Sequence, residues 1–193
     1  MRIQKQEQRQ MIVTKALEYV KNGTYKKLSI RDFCAEVGIT TGIFYRHFAS
    51  KEALFHDCGS QLLEEELSTV DVLLSGLSCE EQLIRYALFL LSFSRKIGQD
   101  IISIDPDNPD NLKVYQDCHN MSEKYATGIL LHACSDHLID EASVPMALES
   151  FFVIVEGIYL ASFRWKDDKD KALLREEQLL RRLIPGILKN PEQ

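Results

Sequence analysis

The sequence predicts an all-α protein: an N-terminal three-helix helix-turn-helix domain over residues 1–50 and a C-terminal helical domain over residues 51–193. Three observations carry that reading. Apolar residues recur at spacings of three and four along the chain, with no sustained alternation bounded by turn signals. Ser29–Phe48 reads as two short helices joined at a glycine. The charge is also uneven: residues 1–55 carry 10 Lys+Arg against 5 Asp+Glu (net +5), while residues 56–193 carry 13 against 24 (net −11), giving −6 in all. A basic module on an acidic body points to an anionic partner met at one end only.

Gln8–Lys21 is the first predicted helix, with Ile12, Ala16, Leu17 and Val20 on one face. Asn22 and Gly23 stop it, because both tolerate the left-handed conformation of a helix C-cap. Ser29 opens the second helix as its cap, with Asp32 completing a capping-box variant and Ile30, Phe33, Cys34 and Val37 as the apolar stripe. Thr40–His47 makes a short third helix, and a fourth runs from Lys51 to a stop near Gly76. Further helices are predicted over residues 80–97, 111–138, 145–166 and 170–188, with Pro185-Gly186 kinking or ending the last. Asp105–Asp110, with two prolines and four Asx residues, reads as a loop.

With 45% apolar and 27% charged residues in 193, the chain can bury a real core. The polar start has no apolar signal-peptide region, and the run Phe151–Phe163 is too short for a bilayer, so a cytoplasmic protein with no membrane partner is expected. Cys34, Cys58, Cys79, Cys118 and Cys134 are scattered, without a C-x-x-C pair, and read as free thiols. The chain has no G-x-S-x-G, H-E-x-x-H, P-loop or G-x-G-x-x-G motif, so no enzyme is expected.

Within Ser29–Phe48, Phe33, Val37, Ile39 and Phe44 supply the contacts between two crossing helices, Cys34 is the small residue at the crossing, and Gly38 makes the turn. Lys51 begins the next helix, where the macrodipole disfavours a cation. A bound phosphate would reverse that, gripped by the ammonium and the free N–H groups together. Phe44 and Phe48 take the buried side, leaving Tyr45 and His47 outward to donate to phosphate oxygens.

From about Gln8 to Glu66 the chain resembles the DNA-binding domain of the TetR (tetracycline repressor) family, most specifically in Gly38–Phe48 followed by Ser50–Leu54. The resemblance implies a transcriptional regulator that works as a homodimer and as a repressor. Each recognition helix would enter the major groove of one half of a near-palindromic operator in double-stranded DNA, and a small molecule in the C-terminal domain would release it. It also assigns roles by position. Arg31 is a candidate base or phosphate contact, Thr40, Thr41, Gly42 and Ile43 face the groove floor, and Tyr45, His47 and Lys51 hold the backbone. Arg46 occupies a variable position. The alternative is a DNA-binding protein of this kind controlled by a protein partner.

In the C-terminal part, Leu83–Phe93 and Phe151–Phe163 are apolar nearly all round and so need more than one packing neighbour. Gly157 and Ala161 are four apart and allow close helix approach, and Leu173, Leu180, Leu183 and Ile187 offer a second dimer stripe. Tyr86, Phe89, Phe93, Tyr115, Tyr125, Phe152, Glu156 and Tyr159 are the candidate ligand contacts. His132 and His137, near Cys134 and Asp136, stand i, i+5 and share a helical face poorly, so no metal and no cofactor is expected.

Overall fold

Helix α1 (Arg2–Lys21) begins six residues before its predicted start at Gln8. Arg, Gln, Lys and Glu, which dominate Arg2–Glu7, are good intrinsic helix formers and extend the element outward. The structure, a computed structural model, describes residues 2–101, 109–165 and 168–189, with side chains from residue 5 onward except 26, 97–101, 109–115 and 169. A short 3-10 turn (Tyr25–Lys27) leads to α2 (Ile30–Val37), α3 (Thr41–His47) and α4 (Lys51–Leu74). Then come α5 (Cys79–Ile101), α6 (Pro109–Ser135), a second 3-10 turn (Glu141–Ser143), α7 (Val144–Ser162) and α8 (Lys169–Ile187).

All the predicted helices are present, and the ends differ for local reasons. Helix α6 starts at Pro109, inside the segment read as a loop. Proline suits a first helical position because its missing N–H has no intrahelical acceptor there. The rest of that loop lies outside the described residues. Pro185 sits inside α8, which continues two residues past it.

The chain packs as two units, Met1–Ser68 with Ser94–His119, and Thr69–Phe93 with Asn120–Gln193. Neither unit ends at residue 50. In the first, Ile12, Ala16 and Val20 of α1 are fully buried, as are Phe44 of α3 and Leu54 and Leu63 of α4. Arg9–Asp57, Lys21–Glu65 at 3.0 Å and Gln10–Gln61 at 3.0 Å join α1 to α4 at the surface. A cleft of about 480 Å³ lies between these two helices, with Asp57, Glu64 and Glu65 on its wall.

In the second unit, α7 buries Val144, Ala147, Phe151, Val155 and Ile158 and packs against α8. Leu180 and Ile184 of α8 are fully buried. With the turn before it, α7 forms a 22-residue helical stretch, 141–162, containing an 18-residue window of mean hydropathy 1.6, long and apolar enough to cross a membrane by length and composition. The stretch is longer than the run Phe151–Phe163 named from the sequence. The excess apolarity lies on the outer face, where Met146 and Val153 are each 68% exposed and Leu160 62%.

Candidate nucleic-acid interface

The turn between α2 and α3 is built from three residues with separate tasks. Gly38 ends α2 at φ 75°, ψ 30°, a left-handed conformation that costs glycine nothing. It lets Ile39 N–H reach back to the Cys34 carbonyl at 2.9 Å. Thr40 then turns extended, and its Oγ1 accepts from Ile43 N–H at 3.2 Å as the N-cap of α3. At the other end, Ser29 Oγ accepts from Asp32 N–H at 3.4 Å, so the residue read as a cap is one. Phe33, Cys34 and Phe44 are buried where α2 and α3 meet.

Both short helices are tied to α1. Tyr19 donates its hydroxyl to Glu36 on α2, and Lys15 pairs with the same carboxylate at 3.0 Å. Those two partners, the tyrosine first, hold the Glu36 carboxyl below its usual range. The end of α3 docks through His47, whose Nε2 donates to Gln8 Oε1 at 2.8 Å. Nδ1 is buried with no hydrogen-bond partner among the described residues. Burial, then the positive charges of Lys5, Arg9 and Arg46, lower the imidazole pKa. Arg9 also lies over the Phe48 ring, 4.6 Å from its centroid. These α1 partners were not legible in the sequence, because neither Gln8 nor Arg9 belongs to the apolar stripe.

What α1 leaves uncovered is a polar, basic face. Arg31, Thr40, Thr41, Gly42 and Arg46 are exposed, Tyr45 is 55% exposed, and Ile43 is half-buried. A Cβ on Gly42 would meet only Thr40 Oγ1, at 3.8 Å, so the surface there is low and open. Lys51 is half-buried, and its Nζ donates to the Leu28 carbonyl at 3.0 Å and sits 5.3 Å from the Tyr25 ring centroid. The Tyr25 hydroxyl in turn donates to the Lys51 carbonyl at 2.6 Å. A cation at this helix start therefore already has a structural role. Ser50 caps α4, its Oγ accepting from Ala53 N–H at 3.0 Å.

In the second unit, Tyr86, Phe89, Phe93, Tyr125 and Phe151 form one aromatic stack. Tyr86 is fully buried, with Tyr125 at 4.7 Å and Phe151 at 5.9 Å between ring centroids. Its hydroxyl donates to the Ser122 carbonyl at 3.0 Å, and that of Tyr125 to Asp71 at 2.7 Å. Phe152 packs edge-on against Phe151 at 5.3 Å, while Tyr159 pairs with Phe163. Glu156 is exposed, and the side chain of Tyr115 lies outside the described residues.

Of the dimer residues read from sequence, Gly157, Leu173 and Leu183 are exposed, and Ala161 and Ile187 half-buried. Leu180 is a correction: it is fully buried in its own chain. The inward face of α8 runs through Glu176, Leu180, Ile184 and Leu188, which leaves Leu173, Leu174 and Leu183 outside.

Residues 12–58 match the family described as bacterial regulatory proteins, tetR family. Among curated protein sequences, none matches the chain. Among solved structures, a putative TetR-family transcriptional regulator from Mesorhizobium loti is similar at TM-score 0.70 and 16% identity, covering 95% of this chain and 96% of that one. The Bacillus subtilis regulator FadR in complex with stearoyl-CoA is similar at TM-score 0.68 and 15% identity, covering 92% and 98%. A putative transcriptional regulator from Saccharomonospora viridis in complex with choline is similar at TM-score 0.65 and 15% identity, covering 93% and 96%. At such identities the structures speak for the fold of the whole chain, and the match over 12–58 speaks for the reading head. Residues 12–58 thus match the DNA-binding domain of the bacterial tetR family, within a chain whose overall fold is shared with these solved structures.

Proposed function

We propose that this regulator is a cytoplasmic repressor that binds a near-palindromic operator as a homodimer and leaves it when a small molecule occupies the second unit. The observation that carries the reading is the exposed edge of α3, Thr41, Gly42, Tyr45 and Arg46, presented within the net-basic residues 1–55. Thr40, Thr41, Gly42 and Ile43 read bases. Arg31 contacts a base or the backbone, and Tyr45 and Lys51 contact the backbone; His47, with Nε2 on Gln8 and Nδ1 buried, fixes the end of α3 instead. Two such heads, related by a two-fold axis, supply affinity and half-site spacing together.

The outer face of α7 supports dimerisation. Met146, Val153 and Leu160 recur every seven residues, and Gly157 lies among them with nothing beyond its own stretch of helix backbone within 4 Å of an added Cβ. An apolar helical stripe of this size needs a cover, and a second copy is the cover that symmetry offers.

Solved relatives hold stearoyl-CoA and choline, which supports a small-molecule effector here. The aromatic residues around Tyr86, with Phe152, Glu156 and Tyr159, are the contacts we assign to it. Such a ligand acts only if it binds the released arrangement better than the DNA-bound one. A coupling of roughly 1–3 kcal/mol would change operator affinity about 5–150-fold.

The test is selection from a randomised duplex pool, followed by titration of the selected complex with a chemically varied panel. Enrichment of a two-fold symmetric sequence that some ligands release is the expected result. A pool without enrichment overturns the repressor reading. Ligands that raise Tm yet never shift operator affinity favour control by a protein partner.

A further inference from the structure

Helix α5 begins with Cys79, which is buried, and its Sγ faces one side chain in the last turn of α6 and one just past its end. His132 Nδ1 lies 3.6 Å from that sulfur and Asp136 Oδ2 3.5 Å. All three donor atoms lie within 4.8 Å of one another. Pairing His132 with His137 on sequence spacing missed this set. The residue that shares a face with His132 is the one four positions on, and Cys79 arrives from a different helix.

The two sulfur contacts, which serve as thiol hydrogen bonds here, also fit the edges of a tetrahedral coordination shell. Tetrahedral zinc has bonds of about 2.3 Å to sulfur, 2.0–2.1 Å to imidazole nitrogen and 2.0–2.2 Å to carboxylate oxygen. The corresponding tetrahedral edges are about 3.6 Å from sulfur to nitrogen and about 3.5–3.6 Å from sulfur to oxygen. The two distances found here, 3.6 and 3.5 Å, match those edges without moving the backbone. Asp136 is itself held in place, its N–H bonded to the His132 carbonyl at 3.0 Å. The left-handed His137 (φ 59°) closes the helix just beyond it.

We propose that Cys79, His132 and Asp136 form a three-ligand site for a divalent transition metal of the zinc class. One thiolate, one imidazole and one carboxylate suit zinc or cobalt, whereas magnesium and calcium take oxygen ligands. His132 and Asp136 are exposed, so the fourth position opens to solvent for a water or another donor. On binding, the sulfur–metal bond replaces the sulfur–hydrogen bond, and the proton leaves to solvent. The metal then joins the first turn of α5 to the end of α6, both within the second unit. The proposal does not depend on which effector releases the DNA.

Cobalt(II) is the probe, added to full-length, tag-free protein first stripped with chelator. One equivalent per chain should bind, with a thiolate-to-cobalt charge-transfer band in the near ultraviolet and visible bands of tetrahedral intensity, both bleached by zinc. Cys79→Ser should lose the charge-transfer band. Because Cys79 is buried and its replacement risks the fold, His132→Gln and Asp136→Asn at exposed positions carry the decision. Each should weaken cobalt binding about ten-fold or more, with circular dichroism unchanged. The proposal is overturned by a wild-type protein without the charge-transfer band, by a band that survives in folded Cys79→Ser, or by unchanged affinity in both exposed variants.

Discussion

The Nε2 of His47, in the last turn of α3, donates to Oε1 of Gln8 on α1 across 2.8 Å. The recognition helix has only seven residues, too few to hold its own conformation, and this bond is one of the ties that fix its far end. Protonating His47 would put a further charge among Lys5, Arg9 and Arg46, on a ring whose Nδ1 is buried. Its pKa in the folded chain therefore lies below the ordinary 6.5. The stability that follows is complete above 6.5 and is lost as pH falls from there through the folded value. Tm should decline over that window, and His47→Gln should lose this part of the decline. Ring proton shifts should show His47 titrating below 6.5.

Lys51 has two tasks, and they separate experimentally. Its bond to the Leu28 carbonyl fastens the start of α4 to the segment before α2. Lys51→Ala should cost about 1 kcal/mol of stability, as loss of one ordinary hydrogen bond does. If Lys51 also grips a phosphate, the same variant weakens binding to all DNA sequences and flattens the salt dependence by about one unit. Thr41→Ala should change base preference and leave the salt slope alone. A slope untouched by Lys51→Ala would leave that lysine its structural task only.

The helix-turn-helix was legible residue by residue because each part answers to a local rule. Ser29 caps, Gly38 takes positive φ, and Phe33 and Phe44 meet at the crossing. Helix α7 was legible in position but not in how far its apolar stretch extends, since periodicity marks a face and says little about where a helix stops. Leu180 shows the limit on α8, where neighbouring leucines divide between core and surface by a rotation that sequence does not fix. The Cys79 cluster was hidden for a different reason. Its members come from separate helices 53 and 57 residues apart, and no pattern along the chain joins them.

Glu81 on α5 receives Arg181 of α8 at 2.8 and 3.2 Å and Arg85 at 2.8 Å. Arg181, then Arg85, lowers its carboxyl to about 2. The contribution is present above the ordinary carboxylate value of 4.5 and is lost as pH falls from there towards 2. The arginine is largely solvated, so screening keeps the effect small. Arg181→Ala should lower Tm by no more than about 2 °C at neutral pH. Thermal scans from pH 6 down to about 2 should show the gap between wild type and variant closing.

Gly157 gives the sharpest test of the dimer, because its two effects have opposite signs. Within one chain an added Cβ there meets nothing within 4 Å beyond its own stretch of helix backbone, and glycine is a poor helix former. Gly157→Leu should therefore leave the isolated chain folded and favour α7 by about 0.5–1 kcal/mol. Across a two-fold interface the same leucine faces its own copy, at the point where the helices must come closest. The association should fall apart while far-ultraviolet circular dichroism keeps its helical amplitude. Val153→Asp, on the same exposed stripe, should do the same by placing two carboxylates opposite each other. Operator affinity then falls as well, since each half-site is held by one short helix alone. Sedimentation at micromolar concentration decides: wild type should run as a dimer and both variants as monomers. A wild-type monomer would remove the dimer, and a fully dimeric Gly157→Leu would move the interface off this face of α7.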